Sequence, residues 1–357
     1  MSASGDELMA RCAELVDIPS VSHNEKAITD HVERLLREVD GLDVERVGDN
    51  VVARTDLGRP QRLILAGHTD TVPVNGNDRA RIDGDTLWGL GSADMKAGCT
   101  VFLELARRVT APSVDLTFVF YACEEVGQED NGLVHLLADR PDLLAGDAAI
   151  LGEPTGARVE AGCQGTLRAE VVLAGERAHT ARPWMGRNAV HRVGPILERL
   201  ADYTERRPVL NGCEYREAVQ AVRIEGFAAY NVVPDRVALT VNHRFAPDRS
   251  IEEAFAHVRD VIGPTVDEAA GDTVTLVDAA APAPPSLDHP LIAALVVGTG
   301  EAPRAKLGWT DVSFFSARGI PATNYGPGEP TVAHTAGEHV TRDQLEAVYA
   351  TVLKLTG

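Results

Sequence analysis

Seven residues in five separated stretches could carry chemistry: His68 with Asp70, Asp94, Glu124 with Glu125, Glu153, and His334. All are imidazoles or carboxylates. Donors of that kind suit zinc, manganese or cobalt. Two histidines and three acids are too many for one four-coordinate zinc, and about right for two ions that share one acid. Two such ions, roughly 3.5–4 Å apart, activate water and stabilise the oxyanion of a hydrolysed amide or ester. The same chemistry needs one unligated carboxylate as a base, and the adjacent Glu124-Glu125 could supply a ligand and a base together.

The elements that must position these groups are legible around them. Leu63-Ile64-Leu65-Ala66 runs apolar into Gly67 and reads as a buried strand delivering His68 and Asp70 at its C-terminal end. A carboxylate two residues from a histidine can hold the other ring nitrogen and fix the tautomer. A second apolar strand, 114–123, ends in Glu124-Glu125-Val126-Gly127, and a third, 148–152, ends at Glu153-Pro154-Thr155. Adjacent carboxylates repel and are seldom placed at a strand end unless a cation or proton sits between them. Ligands of open α/β sheets bind beyond the C-terminal ends of the strands. Asp94 lies in the Gly-rich Gly89-Leu90-Gly91-Ser92-Ala93-Asp94-Met95-Lys96-Ala97-Gly98, just before an apolar helix predicted over 97–109. It reads either as that helix's N-cap or as a ligand on a loop.

Helices are predicted before the first strand, over 5–18 and from His23 to Leu36, with paired short strands at 44–47 and 50–54. Residues 72–81 read as a polar loop and 86–88 as a short strand. A helix is expected near 131–138. From about 166 the texture changes. Strands at 166–173, 218–224, 237–244 and 273–277 alternate with helices at 186–203 and 250–262, the second opened by a Ser250/Glu253 capping box. Asn231-Val232-Val233-Pro234 forms a turn. This β-α-β-β-α-β order is the split βαβ, ferredoxin-like sandwich. An Ala/Pro linker at 279–285 follows, then a helix at 290–298, a strand at 320–324 and a closing helix over 341–356. The expected organisation is one domain from residues 1–165 and 286–357, interrupted by a second over 166–285.

The chain of 357 residues is long enough for two domains, and its net charge is −19. That charge disfavours nucleic acid and anionic membranes as partners. No apolar run reaches membrane-spanning length, and the start of the chain has no basic and apolar pattern of a signal peptide. Cys12, Cys99, Cys123, Cys163 and Cys213 are odd in number and scattered, as expected of reduced thiols in a cytoplasmic protein.

Gly67-His68-Thr69-Asp70-Thr71-Val72-Pro73, the glycine-rich segment around Asp94, Glu124-Glu125-x-Gly127, Gly152-Glu153-Pro154 and the late His334 occur in the order of a known family. Together they resemble the M20 zinc amidohydrolase and exopeptidase family, which includes acetylornithine deacetylase and aminoacylase. The resemblance covers nearly the whole chain. It implies an α/β, mixed-sheet, zinc-exopeptidase-like catalytic domain with an inserted α+β lid and dimerisation domain. It implies that Asp94 bridges two ions, that His68 and Glu153 complete one, and that Glu125 and His334 complete the other. The ions would be zinc, with cobalt or manganese as alternatives. Glu124 would be the general base, Asp70 would orient His68, and a cis peptide is expected after Asp94.

In the inserted segment, His179 of Ala178-His179-Thr180-Ala181 resembles the family's oxyanion-stabilising histidine. Asn231 and Arg244 match residues that hold the substrate carboxylate, for which a guanidinium is the natural fork. Gly162-Cys163-Gln164-Gly165, Asn242-His243-Arg244-Phe245-Ala246-Pro247-Asp248 and Gly308-Trp309-Thr310-Asp311 resemble the actinobacterial branch that hydrolyses N-succinyl-LL-2,6-diaminopimelate. The implied reaction yields succinate and LL-2,6-diaminopimelate, within lysine and peptidoglycan precursor synthesis, by a cytoplasmic homodimer joined through the lid domain. Alternatives are another activity of the family, such as an acetylornithine deacetylase or a dipeptidase, or an inactive homologue that only binds. Departures from the proteobacterial members that the resemblance brings in fall in the substrate shell: Arg182 stands where they have Tyr, and Pro330 where they have Asn. Thr310 is retained as a hydroxyl contact.

Overall fold

A computed structural model describes residues 2–357. The described residues divide into two compact units, one running up to residue 162 with 285–304 and 311–357, the other of 163–284 with 305–310.

The first unit begins with α1 (Gly5–Val16), opened by a Ser4/Glu7 capping box, and α2 (Lys26–Arg37). Glu25 precedes α2 without capping it through its side chain; its carboxylate takes the backbone N–H of Cys123 instead, at 3.0 Å. The hairpin β1 (Asp43–Val47) and β2 (Asn50–Arg54) follows, then β3 (Arg62–His68). Next come α3 (Lys96–Arg108), β4 (Asp115–Tyr121), α4 (Gly132–Asp139) and β5 (Ala148–Leu151). The second unit holds β6 (Gly165–Ala174), α5 (Gly194–Ala201), β7 (Ala218–Glu225), β8 (Arg236–Phe245), α6 (Ile251–Ile262) and β9 (Thr273–Ala280). The chain then returns to the first unit with α7 (Pro290–Thr299), α8 (Val312–Ser316), β10 (Ala322–Asn324) and α9 (Arg342–Thr356).

The first unit is built on an eight-stranded mixed sheet in the order β1-β2-β4-β3-β5-β10, extended by short strands at Glu160–Ala161 and Arg304–Ala305. The four central strands are parallel, with Leu65 opposite both Phe118 and Ile150. Their C-terminal ends therefore share one edge. Leu63 and Leu65 face a core with Phe102 of α3 and residues of α1 and α9. Ile64 and Ala66 point to the opposite face and are equally buried, the pattern of a strand covered on both sides. Eleven of the thirteen α3 residues are buried, and Gly98 explains how close the helix comes: a Cβ there would lie 2.1 Å from the Gly152 carbonyl oxygen. Residues 81–83, which begin at the last residue of the expected 72–81 loop, form a strand paired with the predicted 86–88 strand, and 86–88 pairs on its other side with His339–Thr341.

The second unit is an antiparallel four-stranded sheet in the order β7-β8-β6-β9, the ferredoxin-like arrangement. Its core joins Leu167, Val171, Leu239 and Phe245 to Ile196 of α5 and Val258 of α6. The Ser250/Glu253 capping box forms as expected. The long helix predicted over 186–203 is instead a 3₁₀ turn at Val190–Val193 followed by α5, with a further 3₁₀ turn at Pro183–Met185 just before the segment. Asn188 accepts the N–H of Val190 through its side chain, a local bond that competes with helix, and Pro195 lies in the first turn of α5.

Candidate metal centre

Three of the predicted groups arrive on the common edge of the parallel strands: His68 ends β3, Glu124 and Glu125 follow β4, and Glu153 follows β5. The fourth comes from the loop before α3. That helix is capped by Met95 with no side-chain cap bond, so Asp94 is not its N-cap. Its carboxylate lies between two imidazoles instead. Oδ1 is 3.2 Å from His68 Nε2, and Oδ2 is 3.4 Å from His334 Nε2. His334 Nε2 also lies 2.9 Å from Glu125 Oε1. His68, Asp94 and Glu125 offer donor atoms within 4.8 Å of one another. Glu153 stands outside that triad, buried at the strand end, where its charge acts on Glu124. The Asp94–Met95 peptide is cis, and His334 holds a left-handed backbone with φ of 62°.

Asp70 does more than the sequence implies. His68 Nδ1 lies 3.1 Å from its backbone carbonyl and 3.4 Å from Oδ1. Its carboxylate also accepts the N–H groups of Glu124 at 3.0 Å and Glu125 at 3.1 Å, and the Ser22 hydroxyl at 2.7 Å. It thus ties the end of β3 to the turn that carries the paired glutamates. Although burial opposes charge, His68 and these N–H and O–H donors hold the Asp70 carboxyl down at about 2.

The electrostatics favour positive charge in this cluster. Burial disfavours a charged His68, yet Asp70 and Asp94 push its pKa well above the ordinary value. Hydrogen bonds to Asp94 and Glu125 raise His334 to about 10. Asp94 is held below the usual carboxylate range by the two histidines, against its burial. Imidazoles facing carboxylates in this way would take up positive charge, and divalent ions between neutral rings and ionised acids provide it. The donor set fits zinc-class ions. Glu124 behaves differently: burial, then the negative charge of Asp311, raises its pKa well above that of a free glutamate. A carboxyl tuned upward beside metal-binding donors is suited to taking and returning a proton.

Asp311 and Glu338 were not singled out by sequence. Asp311 is fully buried, accepts from Asn131 Nδ2 at 3.0 Å, and is raised to about 6, chiefly by burial. Glu338 Oε1 accepts the N–H groups of Ala93 and Asp94, both at 3.0 Å, and so fixes the Asp94 loop. In the sequence Glu338 is marked only by lying four residues after His334, and Asp311 only by ending the Gly308-Trp309-Thr310-Asp311 segment.

The remaining predicted groups lie in the second unit. His179 is exposed, its segment is bridged to Val232, and the Thr180 N–H donates to the Asn231 carbonyl at 3.0 Å. Arg182 donates its N–H to the His179 carbonyl at 2.7 Å. His179, Arg182 and Asn231 therefore belong to one paired segment. Arg244, near the end of β8 opposite Thr166, is half-buried, and burial lowers its pKa. Thr310 is buried, and its carbonyl accepts from the Cys163 thiol at 3.6 Å.

The profile of peptidase family M20/M25/M40 matches residues 64–356. A DapE protein of Mycobacterium tuberculosis strain H37Rv, named for succinyl-diaminopimelate desuccinylase, is 50% identical over 329 residues, 92% of each chain. The succinyl-diaminopimelate desuccinylase of Corynebacterium glutamicum is 43% identical over 346 residues, 95% of this chain and 93% of that one. A tripeptidase of Staphylococcus aureus shares the fold, with a TM-score of 0.80 and 21% identity, over 99% of this chain and 98% of that one.

Proposed function

Because the chain belongs to peptidase family M20/M25/M40, we propose that it is a metal-dependent amide hydrolase that cleaves N-succinyl-LL-2,6-diaminopimelate to succinate and LL-2,6-diaminopimelate. The observation that carries the hydrolase reading is the Asp94 carboxylate held between His68 and His334. The choice of substrate is supported by the names of two relatives more than 40% identical to this chain.

In this reading Asp94, His68, Glu153, Glu125 and His334 would hold a pair of divalent ions, Asp94 as the shared acid, His68 and Glu153 serving one ion and Glu125 and His334 the other. Zinc is the expected metal, and cobalt and manganese are the alternatives. Bound there, a divalent pair lowers the pKa of water and stabilises the developing oxyanion. Glu124 takes the proton of the attacking water and returns it to the leaving amine, a role that its raised pKa supports. Asp70 keeps the Nδ1 side of His68 occupied, so that Nε2 faces Asp94. His179 is assigned the oxyanion-stabilising role. Asn231 and Arg244 hold a substrate carboxylate, with Arg182 and Thr310 as further contacts.

The active form is a homodimer joined through the small unit, within the cytoplasm. Edge strand β7 supports the dimer: it exposes Val222 and Ile224, and the following loop exposes Phe227 and Tyr230. An open edge with apolar side chains is a template for pairing with a second copy. Five buried, unpaired thiols support the compartment. Among the described residues, no helix is long and apolar enough to cross a membrane.

The test is turnover by metal-stripped protein with zinc added back, on succinyl-diaminopimelate and on acetylornithine. Zinc-dependent cleavage of the first and little of the second is expected. Preference for the second would reassign the substrate within the family.

A further inference from the structure

The small unit holds a second set of metal-binding side chains that the reaction above does not use. Glu217, His243 and His257 each offer one donor atom, and these atoms lie within 4.8 Å of one another. Glu217 comes from the residue just before β7, His243 from β8 and His257 from α6.

His243 is fully buried. Its Nδ1 lies 3.0 Å from the Ala218 carbonyl, which can only accept. Nδ1 therefore carries the proton and Nε2 the lone pair. That Nε2 is buried and has no hydrogen-bond partner, a rare condition for a polar atom. A carbonyl gripping the far nitrogen is also the usual outer support of a metal-ligating histidine. The His257 ring lies 5.3 Å from the His243 ring, and its Nε2 is 3.2 Å from the Tyr203 hydroxyl. Burial lowers the pKa of both rings, that of His243 to about 4, so both are neutral at physiological pH, the form that binds metal. Glu217 is fully buried. Its Oε1 accepts from Arg206 at 3.0 Å and from the Ala246 N–H at 3.2 Å. Its Oε2 lies 3.2 Å from Arg249 Nη1.

We propose that Glu217, His243 and His257 form a binding site for one divalent cation of the zinc class, separate from the His68 cluster. Two imidazoles and one carboxylate match zinc, cobalt or nickel, whereas magnesium and calcium prefer shells of oxygen. Arg206 and Arg249 already balance the Glu217 charge, which weakens the site and makes the neutral imidazoles the main attraction. An ion there ties α6 to β8 and to the segment entering β7, so its role is structural.

The experiment counts zinc bound by metal-stripped full-length protein after equilibrium dialysis. The unaltered chain is expected to take up one zinc more than His257→Gln. Equal uptake overturns the site. The comparison does not depend on how many ions the His68 cluster binds. His257 is half-buried, and circular dichroism of the zinc-free forms checks that the variant folds. Should it not fold, anomalous diffraction from crystals of the unaltered protein saturated with zinc decides. A peak between His243 Nε2, His257 and Glu217 supports the site, and density at the His68 cluster alone overturns it.

Discussion

At the residue scale, Glu124 and Asp70 do separable work. Glu124→Gln keeps shape and removes the proposed base. Turnover should fall by about 10²–10⁴-fold, the usual contribution of a positioned acid or base, while zinc content by atomic absorption stays unchanged. Retained turnover would remove Glu124 from the mechanism. Asp70→Ala should act on the metal instead. It removes the carboxylate that lies 3.4 Å from His68 Nδ1 and accepts the Glu124 and Glu125 N–H groups. Zinc affinity should drop by about 10–100-fold, as for other outer supports of metal ligands; competition against a chromophoric chelator measures it. Most of these residues were legible in the sequence, because a histidine or acid directly after an apolar strand is a local signal. Asp311 and Glu338 were not. Each acts on a residue distant in sequence: Asp311 on Glu124 through charge, Glu338 on Asp94 through two backbone bonds.

At the element scale, the approach of α3 to the end of β5 sets the distance between Asp94 and the strand-borne groups. Gly98→Ala places a methyl group against the Gly152 carbonyl. It should cost about 1–3 kcal/mol, as overpacking does, visible as a lower midpoint in urea, and it should reduce zinc binding too. In the small unit, Asp272 joins β6 to the turns beside it. Its carboxylate takes the Ala174 and Asp267 N–H groups at 2.8 Å and a two-pronged bond from Arg192 at 2.6 and 2.7 Å. Burial alone would raise its pKa, but these partners bring it from 3.8 down to about 2. A depressed folded pKa means that the stabilisation is complete above about pH 4 and is lost as pH falls toward 2. Acid unfolding should therefore begin at higher pH in Arg192→Gln, as read by circular dichroism; an unchanged midpoint would contradict the linkage. Strand and helix types were mostly readable from periodicity. The 186–203 segment was not, because Asn188 bonds its own backbone where the apolar spacing alone suggests helix.

At the scale of the whole molecule, the two units are each cored by their own apolar cluster, and the dimer reading concerns the second. Lysines at Val222 and Ile224 together should convert a dimer to a monomer in sedimentation velocity, since charge on an open edge opposes pairing. Unaltered protein that sediments as a monomer would sink that reading. The segment 305–310 groups with the small unit although it follows the return to the first. Nothing in its composition announces this, because membership of a compact unit is set by non-local contacts.

The sequence by itself determined the α/β, mixed-sheet class, the β-α-β-β-α-β unit and the roster of imidazoles and carboxylates. Apolar runs, their periods and the polar residues that end them are properties of neighbours in the chain. Only the tertiary structure decided that Asp94 faces two histidines rather than capping α3, that Asp70 also anchors the Glu124-Glu125 turn, and that Asp311 lifts the pKa of Glu124. Burial and Coulomb interaction depend on distance in space, and segments as far apart as 94 and 334 become neighbours only when the core closes.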